Sequence, residues 1–368
     1  MSKKVIIAGY YGAKNTGDEA ILTGIIHALE EQGITDLTVL SRNPEETKKM
    51  HGVNSLYIGR RFDGLKEIHQ EMKKSDLFIL GGGGLLQDYT ARVVPYWLSR
   101  VVVALLARTP VMYYAQGMGP LRTPFARRLV RLISNRVQHI TLRDQPSLEL
   151  LKEIGVDQPP ITITADPALA INIKSDGKKL LEREGITQNG KPKIAISLRS
   201  WKDETTYLPG LVQAFQQVKD QMDAELIVIP FQYEEDEKIS QKVLDQVDGS
   251  NVHLIKGKYT PEEIAAILKE MDGIIAMRLH ALILGAISHV PAFGIVYDPK
   301  VLRFMERAEI DAYSWPLEQI ETHTELFVQR VIQWSEKLIH VKEKMIQPVE
   351  QMKLEAKKNA QIAKQLMG

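Results

Sequence analysis

The chain contains no cysteine, which removes disulfides, thiolate metal sites and a cysteine nucleophile together and agrees with a reducing compartment. It also lacks a charge bias. Its 47 basic and 46 acidic side chains leave a formal charge of +1, so the electrostatic footprint of a nucleic-acid binder is missing and any basic chemistry must be local. There is no long apolar run: the most hydrophobic helical stretch, 93–106, carries Pro95 and Arg100 and falls well short of the ~20 residues a membrane span requires. A strand-like apolar run, 5–8, begins almost at once, so no export signal and a cytoplasmic location are expected. H-E-x-x-H, G-x-S-x-G and D-x-D are all missing. With them go the usual markers of zinc hydrolysis, of an elbow-serine nucleophile and of one class of metal-dependent sugar transfer, and neither metal nor cofactor is expected.

What is present is enough apolar residue for two substantial cores, 44% hydrophobic over 368 residues. Short β-branched runs alternate with helical patterns, the habit of parallel sheets covered on both faces. Strands are expected at 5–8, 37–40, 77–80, 111–115, 139–142 and 161–164, then at 193–198, 226–230, 252–255, 273–276 and 292–296. The turn residues of 188–192, QNGKP, follow the polar stretch 172–178. The predicted fold class is therefore α/β with two doubly wound, Rossmann-like domains, 1–172 and 173–315, and a helical tail 316–368 packing back across them. Pro348 is the tail's only interior break. Two such domains facing a cleft resemble the glycosyltransferase-B architecture, in which ligands lie beyond the carboxyl ends of the strands. Residues just past each strand are thus the ones to weigh.

Three glycine-bearing loops follow three of the first-half strands. Residues 9–20, GYYGAKNTGDEA, have the strand, loop and helix layout of a nucleotide loop but fit neither G-x-G-x-x-G nor the P-loop, and Asp18 and Glu19 would repel phosphate. Lys14, Asn15 and Thr16 still offer donors to a sugar; a tight turn with an acid-capped helix accounts for the glycines equally well. Residues 81–84 are four consecutive glycines, whose entropy cost implies close backbone approach by a ligand or by the opposing domain. Residues 116–120, QGMGP, repeat the device.

In the second half the strand 273–276 runs into Arg278-Leu279-His280 and an apolar helix. A guanidinium fork at a strand end suits carboxylate or phosphate. His280 falls in the first helical turn, where the positive helix end disfavours imidazolium, so a neutral ring able to act as a base is expected. A capping histidine and a solvated arginine are the plainer alternative. Arg199, just past the strand 193–198, supplies a second fork on the same side, as an anion bearing both carboxylate and phosphate would need; Lys202 is a weaker neighbour. Separately, 121–133 is basic and amphipathic, with Arg127, Arg128 and Arg131 flanking the apolar positions. It reads either as a face for anionic lipid or as the solvated side of a core helix.

Taken together, 9–20, 81–85, 116–120, 142–147, 165–168 and 277–281 resemble the polysaccharide pyruvyl transferases, most closely the CsaB-type enzymes that pyruvylate the secondary cell-wall polymer of S-layer-bearing Gram-positive bacteria. The resemblance extends to about residue 299. It implies phosphoenolpyruvate as donor and a lipid-linked disaccharide containing N-acetylmannosamine as acceptor. The product would be a 4,6-ketal, with release of phosphate and at most peripheral contact with the inner face of the membrane. Arg199, Arg278 and Lys202 would then hold the donor, and Arg278 and His280 would serve the chemistry. Tyr11, Lys14, Asn15, Thr16, Asp18, Gly82, Gly83 and Gln116 would face the acceptor. The rival readings are a nucleotide-sugar glycosyltransferase on the same fold and a non-catalytic binder of anionic sugars. No nucleic-acid partner is expected, and the sequence is silent on oligomeric state.

Overall fold

The computed structural model describes residues 3–59, 63–187, 189–249 and 251–368; Gln188, the first residue of the turn expected at 188–192, lies outside them. The chain divides into two compact units, residues 1–172 with 352–368, and residues 173–351. Unit 1 alternates β1 (Lys4–Ala8), α1 (Thr16–Glu31), β2 (Asp36–Ser41), α2 (Pro44–His51), β3 (Asn54–Tyr57), α3 (Leu65–Met72) and β4 (Leu77–Leu80). It continues with α4 (Val93–Leu106), β5 (Val111–Gln116), α5 (Pro124–Ser134), β6 (His139–Leu142), α6 (Gln145–Glu153) and β7 (Ile161–Ile163). Its sheet has the order β3-β2-β1-β4-β5-β6-β7, and every pairing is parallel. The central strands are buried on both faces, which is why Val5, Ile6, Ile7 and Leu77 to Leu80 form unbroken apolar runs.

Unit 2 contains α7 (Gly177–Arg183), β8 (Lys193–Ser197), α8 (Leu208–Met222), β9 (Glu225–Val228), α9 (Tyr233–Leu244), β10 (Val252–Leu254) and α10 (Pro261–Lys269). There follow β11 (Gly273–Ala276), α11 (Leu279–Ile287), β12 (Ala292–Val296), α12 (Pro299–Arg307), β13 (Ser314–Pro316), α13 (Thr324–Ser335) and α14 (Leu338–Leu366). Its sheet, β10-β9-β8-β11-β12-β13, is again all parallel. Both units therefore share one winding rule. The chain starts mid-sheet, builds outward to one side, then returns to the other side of its first strand. The two reversal points are β1/β4 and β8/β11.

Among the described residues there are thirteen strands, and eleven of them lie where the apolar runs predict them. The two that the pattern misses, β3 and β13, are edge strands with polar or half-exposed residues, NSLY and SWP; burial on one face only gives no continuous apolar run. The tail is helical as expected, and α14 runs on through Pro348. Its residues from Met352 onward group with unit 1, where the Thr164 hydroxyl donates to Asn359 Oδ1 at 3.0 Å.

Candidate functional site

In unit 2 the predicted charged residues gather at the carboxyl edge of the sheet, at the reversal point. Ser197 pairs with Ala276 in the β8/β11 ladder, so Arg199 and Arg278 each stand two residues past the same rung. Their environments differ. Arg278 Nε donates to Asp236 Oδ2 at 3.0 Å and its Nη2 to Asp236 Oδ1, with Gln232 Oε1 at 3.4 Å. Asp236 is fully buried and also accepts the backbone N–H groups of Phe231 and Gln232 at 3.1 and 2.9 Å. The open fork expected at Arg278 is thus already closed on a carboxylate, leaving the Nη1 edge. Asp236 is the residue that sequence reading missed. It is the third acid in the first turn of α9, after Glu234 and Glu235, and nothing in its spacing distinguishes a buried partner from a solvated helix-start acid.

Arg199 is held by rings instead. Its guanidinium lies 5.0 Å from the Trp201 ring centroid and 4.8 Å from that of Tyr297, and Nη1 donates to the Tyr297 hydroxyl at 3.0 Å. Among the described residues it has no carboxylate partner, and its enclosed Nε makes no hydrogen bond. The turn carrying it is pinned by Tyr207, whose hydroxyl accepts the Trp201 N–H at 3.1 Å. Burial pushes that phenol up to about 12 despite the hydrogen bond from Trp201. Lys202 departs from its expected role: exposed at the surface, its ammonium is paired with Glu318 at 2.7 Å. His280 is the second residue of α11, two positions past Arg278 at the N-cap. It is partly buried, with Nε2 shielded from solvent.

Unit 1 assembles the three glycine loops at its own reversal point, since β1, β4 and β5 are adjacent in the sheet. The glycines answer mainly to the protein itself. Tyr11, expected at the acceptor, is buried, and its ring fills the space that side chains at residues 9 and 81 would need; a Cβ at Gly81 would stand 2.1 Å from the phenol oxygen. Burial, then the nearby Asp18 and Glu19 carboxylates, raises that phenol well above its ordinary value. Gly82 faces Ile21 and Pro167, where a Cβ would meet carbon at 3.0 and 3.1 Å, and Gly83 adopts φ +99°. The expected ligand or opposing domain is therefore not needed to explain Gly81 and Gly82.

Gln116 is also corrected. It is fully buried, its Nε2 donates to the Leu80 and Gly81 carbonyls, and Gly117 N–H donates to the Gly83 carbonyl at 2.8 Å. Its role is to brace the glycine run. Asn15 caps α1, its Oδ1 accepting the Gly17 N–H at 2.9 Å, and Thr16, expected to offer a donor to the acceptor, is buried in the first turn. Asp18 does lie at the edge, its Oδ1 3.7 Å from where a Gly83 Cβ would be. Lys14 takes φ +59°, and Lys202 in the matching loop of unit 2 takes φ +48°; left-handed backbone at a non-glycine residue costs of order 1–3 kcal/mol and gathers at functional loops. The 9–15 loop is fixed by Glu19, which accepts the Gly12 N–H at 2.7 Å and faces His51 Nε2 at 2.9 Å. Among the described residues no group of three His, Asp or Glu is placed to hold a metal ion.

Two parallel doubly wound units, each gathering its loops at a sheet reversal point, define a glycosyltransferase-B-like fold. Among solved structures, UDP-GlcNAc 2-epimerase from Methanocaldococcus jannaschii is similar, with a TM-score of 0.67 at 14% identity over 99% of this chain and all of that one, 100%. A glycosyltransferase from Rickettsia africae ESF-5 gives 0.63 at 14% identity, covering 100% of this chain and 99% of the other. At these identities the likeness is one of fold. Residues 15–299 match the family described as polysaccharide pyruvyl transferase, and the chain belongs to that family. The amylovoran biosynthesis protein AmsJ of Erwinia amylovora is 22% identical over 83% of this chain and 86% of its own length.

Proposed function

We propose that the protein transfers the pyruvyl group of phosphoenolpyruvate to a lipid-linked, N-acetylmannosamine-containing precursor of a cell-wall polysaccharide. The product is a 4,6-ketal and inorganic phosphate, the CsaB-type reaction, carried out at the cytoplasmic side. The observation that carries this reading is Arg199. It is an uncompensated, ring-clamped guanidinium at a sheet reversal point, the place where doubly wound folds take their ligands. It seats one anionic end of the donor, and the Nη1 edge of Arg278, oriented by Asp236, meets the other. Solvent supplies a proton to the donor methylene carbon, positive charge develops at C2, the first sugar hydroxyl adds there, and its proton passes to His280, which returns it to solvent. Phosphate then leaves, the second hydroxyl closes the ring, and its proton leaves with phosphate. One phosphoenolpyruvate and one diol thus give one ketal and one phosphate. The match to the polysaccharide pyruvyl transferase family and the similarity to AmsJ, an amylovoran biosynthesis protein, support a saccharide acceptor.

The test is acceptor-dependent phosphate release from phosphoenolpyruvate with an aryl-linked N-acetylmannosaminyl disaccharide. Release is expected for the native chain and absent for His280→Ala with its melting curve unchanged. Turnover of a nucleotide sugar in place of phosphoenolpyruvate, or full activity in His280→Ala, would overturn the reading.

A further inference from the structure

Between Asp88 and Asp144 the chain has no acidic residue and nine arginines. This stretch includes α4 and α5, the crossovers on either side of β5, which pack together. On α5, Ala126, Val130 and Ile133 face the core, whereas Phe125 is 65% exposed and Leu132 53% exposed. Phe125, Arg128 and Leu132 follow helical spacing along one outward face, and the exposed Arg131 lies beside it. Arg127 is committed to Glu153 at 2.6 Å and to the Leu121 carbonyl. The last residue of α4, Leu106, is 71% exposed.

A lone exposed apolar residue is ordinary. An outward helix face that sets an aromatic and a leucine among guanidiniums, with no acid on the helix, is not how a solvated face is composed, since such faces intersperse both signs. The helix cannot turn this face inward. Asp88 accepts the Arg122 and Thr123 N–H groups at 2.8 and 2.7 Å, and Thr123 caps the first turn through the Ala126 N–H at 3.3 Å.

We infer that the outward face of α5 docks on an anionic lipid bilayer, the guanidiniums of Arg128 and Arg131 at the phosphates and the side chains of Phe125 and Leu132 in the acyl boundary. Basic, shallowly inserting amphipathic helices bind membranes in this way. The apolar pair selects a bilayer over a nucleic acid, which offers guanidiniums phosphate but offers Leu132 no apolar phase. The inference deepens the proposed function by giving a lipid-linked acceptor a surface to be met on, yet its evidence is the helix alone.

Co-sedimentation of the full chain with phosphatidylcholine vesicles, with and without an equal part of phosphatidylglycerol, tests it. Binding is expected only to the anionic vesicles and should weaken with added salt. At roughly fivefold per basic residue near the surface, Arg128→Glu with Arg131→Glu should lower partitioning about a hundredfold or more. Phe125→Ser with Leu132→Ser should lower it about tenfold while leaving the salt dependence. Both double variants should keep native melting and native turnover of the soluble aryl-linked acceptor. Vesicle binding that neither double variant changes would overturn the docking face, as would binding to heparin or RNA without binding to vesicles. Absence of turnover by the native chain on the soluble acceptor would instead count against the proposed reaction, and the vesicle result would stand by itself.

Discussion

Two arginines that look equivalent in the sequence are set apart by their partners. Arg278 is neutralised by buried Asp236, whereas Arg199 is held by aromatic faces that supply no counter-charge. Arg199→Ala should therefore raise the phosphoenolpyruvate concentration needed for half-saturation by roughly ten- to a hundredfold, the worth of one charge-assisted hydrogen bond. Steady-state kinetics at saturating acceptor measure this, and an unchanged half-saturation would remove Arg199 from the donor seat. Asp236→Asn is expected to act mainly on stability, by about 3–5 kcal/mol, because it strands a mostly buried guanidinium. Denaturant unfolding checks the size of that loss. The positions of Arg199, Arg278 and His280 were legible because strand ends can be read from apolar runs. The distinction between the two arginines was not legible, because it depends on Asp236, in the first turn of α9, and on Tyr297, just past β12, which reach these side chains only through the fold.

The same contrast holds for the glycine loops. Their convergence at one sheet edge could be anticipated from three strand-loop-helix patterns, and the sheet order brings them together. Their cause could not, since it is a tyrosine from the first loop lying across the second. The overlap at Gly81 is with the phenol oxygen of Tyr11 at 2.1 Å, and no small shift of a buried ring relieves it. Gly81→Ala should destabilise the protein by roughly 1–3 kcal/mol through overpacking. Gly81→Ala combined with Tyr11→Phe should recover part of the loss by removing the oxygen that clashes. Equal unfolding midpoints for the single and the double variant would show that the contact is not the reason for the glycine. Gln116 fits this account: its amide donates to the Leu80 and Gly81 carbonyls and so holds the run in place from beneath.

Across the molecule, burial of the phenols couples folding to alkaline pH. Tyr11, Tyr113 and Tyr114 in unit 1 are raised from their ordinary value by burial before any other cause. In unit 2, Tyr207, Tyr233 and Tyr259 are raised by burial first as well. A phenol that ionises less readily folded than unfolded gives its full contribution to stability below the free-tyrosine value of ~10. That contribution is lost as pH climbs from there through the folded value. Stability should therefore be flat at neutral pH and fall steeply above pH ~10. Tyrosinate absorbance should rise in two stages, exposed phenols first and the buried set only as far-ultraviolet circular dichroism is lost. Two units with separate cores need not share one transition, so following both signals also shows whether they unfold together. Full ionisation of all the tyrosines near pH 10 with the dichroism intact would mean that these rings are reached by solvent in the folded chain, and would undo the packing described around Tyr11.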